Sequence, residues 1–312
     1  MPLIEVRALR KTYRSTVAVE HVDLDVHEGE IIGVLGPNGA GKTTTVECMA
    51  GLTRPDRGTV RLAGHVPWRD RRQVTGLLGV QLQSSGLQAK LTAREAVAMV
   101  AAFHDAPADP DELIERLGLG RVAGTRYAKL SGGQQQRLAI ATALVGRPRV
   151  VILDELTTGL DPEARRETWE LIRNVRGSGT TVVLVTHLME EAQQLCDRIT
   201  VLAGGRVVAE GTPDDVVARS ASSTVMSFTA PAAVLPADVL AGLPGVRQVE
   251  RRGARLEVAG TDDGVLAVLR VLQERQVEPA GLRVSATTLD EAYLALVRRP
   301  DTDTAPAMEE IS

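Results

Sequence analysis

The sequence predicts an α/β fold, a parallel sheet flanked by helices, followed by a small α+β domain near the C-terminus. Three observations carry this prediction. "RVVILDE" and "TTVVLVTH" are continuous apolar runs of the kind buried strands use, and the helical "PEARRETWELIRNVRG" lies between them. "EIIGVLG" is a third such run, and it leads through "GPNGAGKTT" into the helix-compatible "TTVECMAGL". After about Arg219 the pattern changes to short strand-like and helical pieces with their own periodicity.

Taken in order, "LIEVRAL" and "HVDLDVHEGE" alternate like half-buried strands, so the opening section is β-rich. From about Gln83 to Pro148 the signal is helical. "LTAREAVAMVAAFH" places Thr92 at an N-cap with Glu95 three residues later, and "DPDELIERLGL" begins with acids and ends in glycine. The two buried-strand runs and their helix follow. The C-terminal part reads as a strand "STVMSFTA", a hairpin "VRQVERRGARLEVAG", a helix "GVLAVLRVLQERQ", a strand "AGLRVSA" and a last helix "LDEAYLALVRR". The expected domains are therefore residues 1–219 and 220–299, with 300–312 an acidic, proline-containing and disordered tail. No internal repeat is visible.

Composition narrows the function. With 44% hydrophobic residues over 312 positions the chain can fill sizeable cores. A formal charge of -4 gives no bulk electrostatic reason to expect nucleic acid as a partner. Cys48 and Cys196 form no CxxC pair, so neither a disulfide framework nor a structural metal is expected, and the compartment is expected to be reducing. The first residues lack the apolar core of a signal peptide. No window reaches the ~18 apolar residues of a membrane span. Action at a membrane would need another chain to supply the membrane part.

The chemistry begins at GxxxxGK[ST], here Gly36, Pro37, Asn38, Gly39, Ala40, Gly41, Lys42 and Thr43, continued by Thr44. It follows a strand and opens a helix, the setting a phosphate-binding loop requires. Glycines let the backbone N–H groups and the helix N-terminus face phosphates. Lys42 adds a compact positive charge, and Thr43 offers a hydroxyl to Mg2+. The chain has four lysines against 32 arginines, yet uses lysine here, where a planar guanidinium would not fit. Downstream, "VVILDELTTGLDP" ends an apolar strand in Asp154, suited to Mg2+, and Glu155, suited to polarising an attacking water. "LSGGQQQR" sets Ser131 and Gln134 in a capping box around Gly132 and Gly133, which turns a helix N-terminus toward an anion.

Over residues 3 to 218 these motifs together resemble the ATP-binding cassette (ABC) family. The resemblance implies a P-loop ATPase domain with a parallel core, an antiparallel β subdomain and a helical subdomain. It implies ATP with Mg2+ as cofactors, and that Ser131, Gly132, Gly133 and Gln134 meet the ATP held by the P-loop of a second subunit. Tyr13 matches the aromatic that stacks on adenine. Gln83 matches the glutamine that senses the γ-phosphate and metal, with Gln81 close by as the other candidate. Asp161 resembles the acid that contacts the opposite subunit. His187 resembles the histidine that touches the γ-phosphate and positions the catalytic water. Catalysis would thus rest on Glu155, His187, Lys42 and Gln83, and the metal on Thr43, Gln83 and Asp154. Cys196 and Met189, on the helix after His187, are expected to be packing residues.

One position departs from the family pattern: Leu156 stands where a proline usually follows the glutamate. Proline would hold Glu155 extended, so leucine is expected to leave it looser and hydrolysis modest. A single cassette implies a homodimer or a second ATPase. The helical insertion between Gln83 and Ser131 is where the family docks onto membrane subunits. "SATTLDEAYLALVRR" is similar to the end of the accessory domain in drug and antibiotic exporters of the daunorubicin-resistance type. The expectation is an export ATPase on an integral membrane permease at the cytoplasmic face of the membrane. The alternative is a soluble cassette ATPase acting on proteins or nucleic acid.

Overall fold

The computed structural model describes residues 2–82, 87–219, 224–231, 235–286 and 288–297. They form two compact units that part between Pro213 and Asp214. The split falls just inside the helix Pro213–Arg219, whose end is the boundary expected from the sequence. The polar "SASS" after Arg219 marks that helix's end in the sequence, whereas packing groups the helix with the C-terminal unit.

In chain order the first unit contains β1 (Ile4–Tyr13), β2 (Thr16–Val26), β3 (Ile31–Leu35), α1 (Lys42–Met49), β4 (Arg57–Leu62), α2 (Arg71–Thr75) and β5 (Leu78–Gln81). Then come α3 (Ala93–Ala101), α4 (Pro110–Arg116), α5 (Gly132–Leu144), β6 (Val150–Asp154), α6 (Pro162–Gly177), β7 (Thr181–Thr186), α7 (Met189–Leu195), β8 (Arg198–Ala203) and β9 (Arg206–Gly211). Among the described residues one sheet runs in the order β4-β1-β2-β9-β8-β3-β7-β6-β5. Its centre, β8-β3-β7-β6-β5, is parallel. β9 joins antiparallel to β8 and touches β2 in parallel at His21 and Arg206. β1 pairs antiparallel with β2 and β4.

The apolar runs explain this layout. β3, β6 and β7 are buried at every residue, as central strands covered on both faces must be. β1 and β2 mix buried with exposed positions, as a more open antiparallel layer does. The helical insertion forms as expected. Thr92 and Glu95 make a reciprocal capping box on α3, and Asp109 caps α4 through the backbone N–H groups of Asp111 and Glu112.

The C-terminal unit comprises α8 (Pro213–Arg219), β10 (Thr224–Thr229), α9 (Ala237–Ala241), β11 (Val246–Arg252), β12 (Arg255–Gly260), α10 (Asp262–Glu274), β13 (Ala280–Ala286) and α11 (Leu289–Val297). Its strands form an antiparallel sheet in the order β11-β12-β10-β13. Met226, Phe228, Leu256 and Val258 of the sheet pack with Val268 and Leu272 of α10 in its core. The tail expected at 300–312 lies outside the described residues. Among the described residues no helix is long and apolar enough to cross a membrane.

Candidate functional site

The carboxyl ends of β3, β6 and β7 lie along one edge of the parallel sheet, where open α/β sheets hold ligands. β3 runs directly into the glycine-rich loop, and α1 begins at Lys42. Gly41 is its N-cap with φ 98, and a Cβ there would stand 2.5 Å from the Ala18 carbonyl oxygen. Only glycine fits. With no side chain to cap it, the first turn of α1 keeps its N–H groups for an anion.

Lys42 is buried, and its Nζ donates to the carbonyl oxygens of Gly36 at 2.8 Å and Pro37 at 3.2 Å. Burial lowers its pKa, while the charges of Glu155 and Asp154 act in the opposite sense. A cavity of about 360 Å³ opens here, lined among others by Asn38, Gly39, Lys42, Thr43, Thr44 and Glu155. The phosphate loop and the glutamate predicted from separate motifs therefore share one hollow.

Asp154 ends β6 and is buried, whereas Glu155 turns out of the strand. The backbone of Glu155 is left-handed, φ 49, and its N–H donates to the Val185 carbonyl at 2.9 Å. Glu155 is therefore not in the extended conformation that a following proline would impose. The hydrogen bond joins the Glu155 backbone to β7, and Leu156 is wholly buried. His187 follows β7, and its Nδ1 lies 3.3 Å from Glu155 Oε1.

Tyr13 ends β1 with an exposed ring. Its hydroxyl donates to Glu47 of α1 at 3.4 Å, and the Lys11 ammonium lies 5.4 Å from the ring centroid. The ring is thus tied to the helix that carries the phosphate loop. Gln83 lies outside the described residues. Gln81 is buried at the end of β5, where its Oε1 accepts from the Asp154 N–H at 3.2 Å and its Nε2 donates to the Leu82 carbonyl at 2.6 Å.

Ser131, Gly132, Gly133 and Gln134 open α5, and the capping box is present in both directions. None of the four lines the phosphate-loop cavity among the described residues. A Cβ on Gly132 would meet Leu160 at 3.5 Å and one on Gly133 would meet Ala164 at 3.4 Å, so this turn packs against the start of α6. Asp161 is the N-cap of that helix, accepting from the N–H groups of Glu163 and Ala164, as an aspartate before a proline at the first helical position suits. Met189 is buried on α7, and buried Cys196 stands just past that helix rather than on it.

One residue the sequence reading missed is Glu191 of α7. It is fully buried and accepts from Thr157 Oγ1 at 2.7 Å and Trp169 Nε1 at 3.1 Å. An acid in a short helix reads as solvated. The only hint is its place among the buried Met189, Ala192 and Leu195.

A parallel sheet whose central strand feeds a phosphate loop, with an acid pair and a histidine on the same edge, defines a P-loop ATPase of the cassette type. The comparisons specify it further. The family model described as "ABC transporter" matches residues 19–158. The chain is 38% identical over 300 residues to the daunorubicin resistance ATP-binding protein DrrA3 of Streptomyces coeruleorubidus, covering 94% of this chain and 95% of that one. It is 40% identical over 260 residues to the Nod factor export ATP-binding protein I of Paraburkholderia xenovorans (strain LB400), covering 81% and 84%. Among solved structures, the dimeric post-hydrolysis cassette MJ0796 bound to ADP and Pi superposes with a TM-score of 0.61 at 28% identity, covering 67% of this chain and 98% of that one. The chain belongs to the ABC transporter family as an ATP-binding, ATP-hydrolysing subunit.

Proposed function

We propose that this chain energises export through a separate integral membrane permease, working as a head-to-tail homodimer on the cytoplasmic face of the membrane. The observation that carries this reading is the separation of its two nucleotide-facing elements. The phosphate loop, Glu155 and His187 line or flank one cavity, whereas Ser131, Gly132, Gly133 and Gln134 open a helix that does not line it. A second copy would bring its own α5 to that cavity and complete two sites.

In this reading Lys42 and the N–H groups of Gly36 and of Asn38 to Thr44 bind the ATP phosphates, and Tyr13 supports the adenine. The donor set of Thr43 hydroxyl and Asp154 carboxylate suits Mg2+, as does the Gln83 side chain, and the metal would neutralise phosphate charge. Glu155 accepts a proton from the attacking water, and His187, 3.3 Å away, holds Glu155 and the γ-phosphate in register. Ser131 and the N–H groups behind it, with Asp161, serve the ATP of the partner.

The surface around α2 supports permease docking. Exposed Leu52 flanks a hollow of about 280 Å³ that Arg71 and Val74 also line. Phe103, 75% exposed, flanks a second hollow lined also by Arg72 and Thr75. Apolar side chains rimmed by arginines suit a helix presented by a membrane protein. The relatives carry different cargo names, daunorubicin and Nod factor, over one cassette type. The cargo, a drug, antibiotic or other small amphiphile, is accordingly set by the permease.

The test is co-purification from detergent-solubilised native membranes of a tagged Glu155→Gln chain held with ATP. A polytopic membrane protein recovered in roughly equal amount is the expected result. Recovery of soluble partners alone would overturn export and leave the ATPase assignment standing.

A further inference from the structure

Glu191 is an unusual place for a carboxylate. It has no exposed surface, and both its hydrogen-bond donors, Thr157 and Trp169, are neutral. Its Oε2 has no hydrogen-bond partner among the described residues. Burying a carboxyl oxygen without a hydrogen-bond partner is unfavourable compared with an apolar side chain of similar volume. A purely structural position would be better filled by leucine.

Its neighbours indicate what it does. Glu191 lies on the first turn of α7, four residues after His187, whose ring faces Glu155 at 3.3 Å. Thr157 lies two residues after Glu155 and four before Asp161. Trp169 lies on α6, the helix that Asp161 caps and whose first turn faces Gly133 through Ala164. One carboxylate therefore ties the helix after the histidine to the segment that bears the subunit-facing residues.

We propose that Glu191 is a positioning residue that couples the histidine side of the ATP site to the Asp161 segment and, through α6, to the Ser131 turn. When His187 shifts with the nucleotide, α7 carries Glu191 with it. Thr157 and Trp169 transmit the displacement toward the surface that serves the second subunit. The coupling rests on the ATPase assignment and on the proposed head-to-tail pair but requires no particular cargo.

Three variants test it: Glu191→Gln keeps an acceptor, Glu191→Leu removes it, and Thr157→Val, a milder change, deletes one donor. Turnover, KM for ATP and melting temperature are measured for each. Trp169 emission is followed in a Trp68→Phe background, where it is the single tryptophan. The expected result is a fall in kcat of about tenfold or more for Glu191→Leu and Thr157→Val with KM within about twofold, and near-normal turnover for Glu191→Gln. Trp169 emission is expected to differ between ATP and ADP, and to lose that difference in Thr157→Val. Wild-type turnover in Thr157→Val, equal losses in Glu191→Gln and Glu191→Leu, or emission indifferent to the nucleotide would overturn the proposal. A parent chain without ATPase activity would instead count against the assignment on which it rests.

Discussion

Replacing Gly133 by alanine should stabilise the protein and disable it. Gly133 lies in the first turn of α5 without a positive φ, and a Cβ there would meet Ala164 at 3.4 Å, an ordinary contact. The backbone accepts alanine without strain, and the unfolded chain loses freedom. The substitution should therefore add about 0.4–1 kcal/mol. For a unit of this size that raises the melting temperature by about 1–4 °C. Turnover should move the other way, by about 10²-fold, because in the proposed head-to-tail pair the methyl group would fill the space through which the partner's phosphate reaches the helix N-terminus. Calorimetry of the nucleotide-free chain and phosphate release at saturating ATP read the two effects separately. Gly177→Ala, at the end of α6 with nothing within 4 Å of the new Cβ, provides a control that should keep full activity. If Gly133→Ala hydrolysed ATP at the parent rate, the glycine would serve no phosphate; if it melted lower, the backbone argument would fail.

Other consequences are equally open to measurement. Burial lowers the Lys42 pKa below its ordinary 10.5, so the penalty for burying its charge is present at neutral pH and relieved as pH rises through the folded value. Relative to Lys42→Met, the nucleotide-free chain should gain stability, and ATP binding should weaken, in that alkaline window; ATP affinity unchanged up to pH 10.5 would contradict this. Burial pushes the Cys48 thiol up to about 11 and raises that of Cys196 as well, so neither should be alkylated by iodoacetamide at neutral pH until the chain unfolds, as mass spectrometry can follow. Leu156→Pro should not accelerate hydrolysis, because Glu155 is held at φ 49 by its bond to Val185 and not by an extended backbone. A rise of more than about twofold would reinstate the loosening expected from the sequence.

The sequence disclosed those parts of the fold whose signals are local. The amphipathic run from Pro162 to Gly177 became α6 with the same ends, and the capping pattern at Thr92 became a real box. β4 and β9 passed unremarked because arginine, glycine and glutamate break their apolar runs, and β5 because it has only four residues. Their role is also non-local: β9 links the parallel core to the antiparallel layer by pairing β8 and β2. Within the site, the phosphate loop and the Asp154–Glu155 pair were legible because their chemistry demands fixed spacing. Glu191 was not legible, since its burial depends on packing among α6, α7 and the loop after β6. The left-handed backbone of Glu155 was not legible for a similar reason: its N–H donates to the Val185 carbonyl of β7, far away in sequence.

The placement of the phosphate loop on α1 and the serine–glycine turn on α5 has a genetic consequence. In the proposed head-to-tail pair each composite site draws one element from each chain. A cell carrying one copy damaged at Lys42 and another damaged at Ser131 would assemble mixed pairs in which both lesions fall in the same site. The opposite site would be built entirely from sound parts. Two individually inactive alleles would then partly rescue one another, whereas two alleles damaged in the same element would leave every site with a lesion.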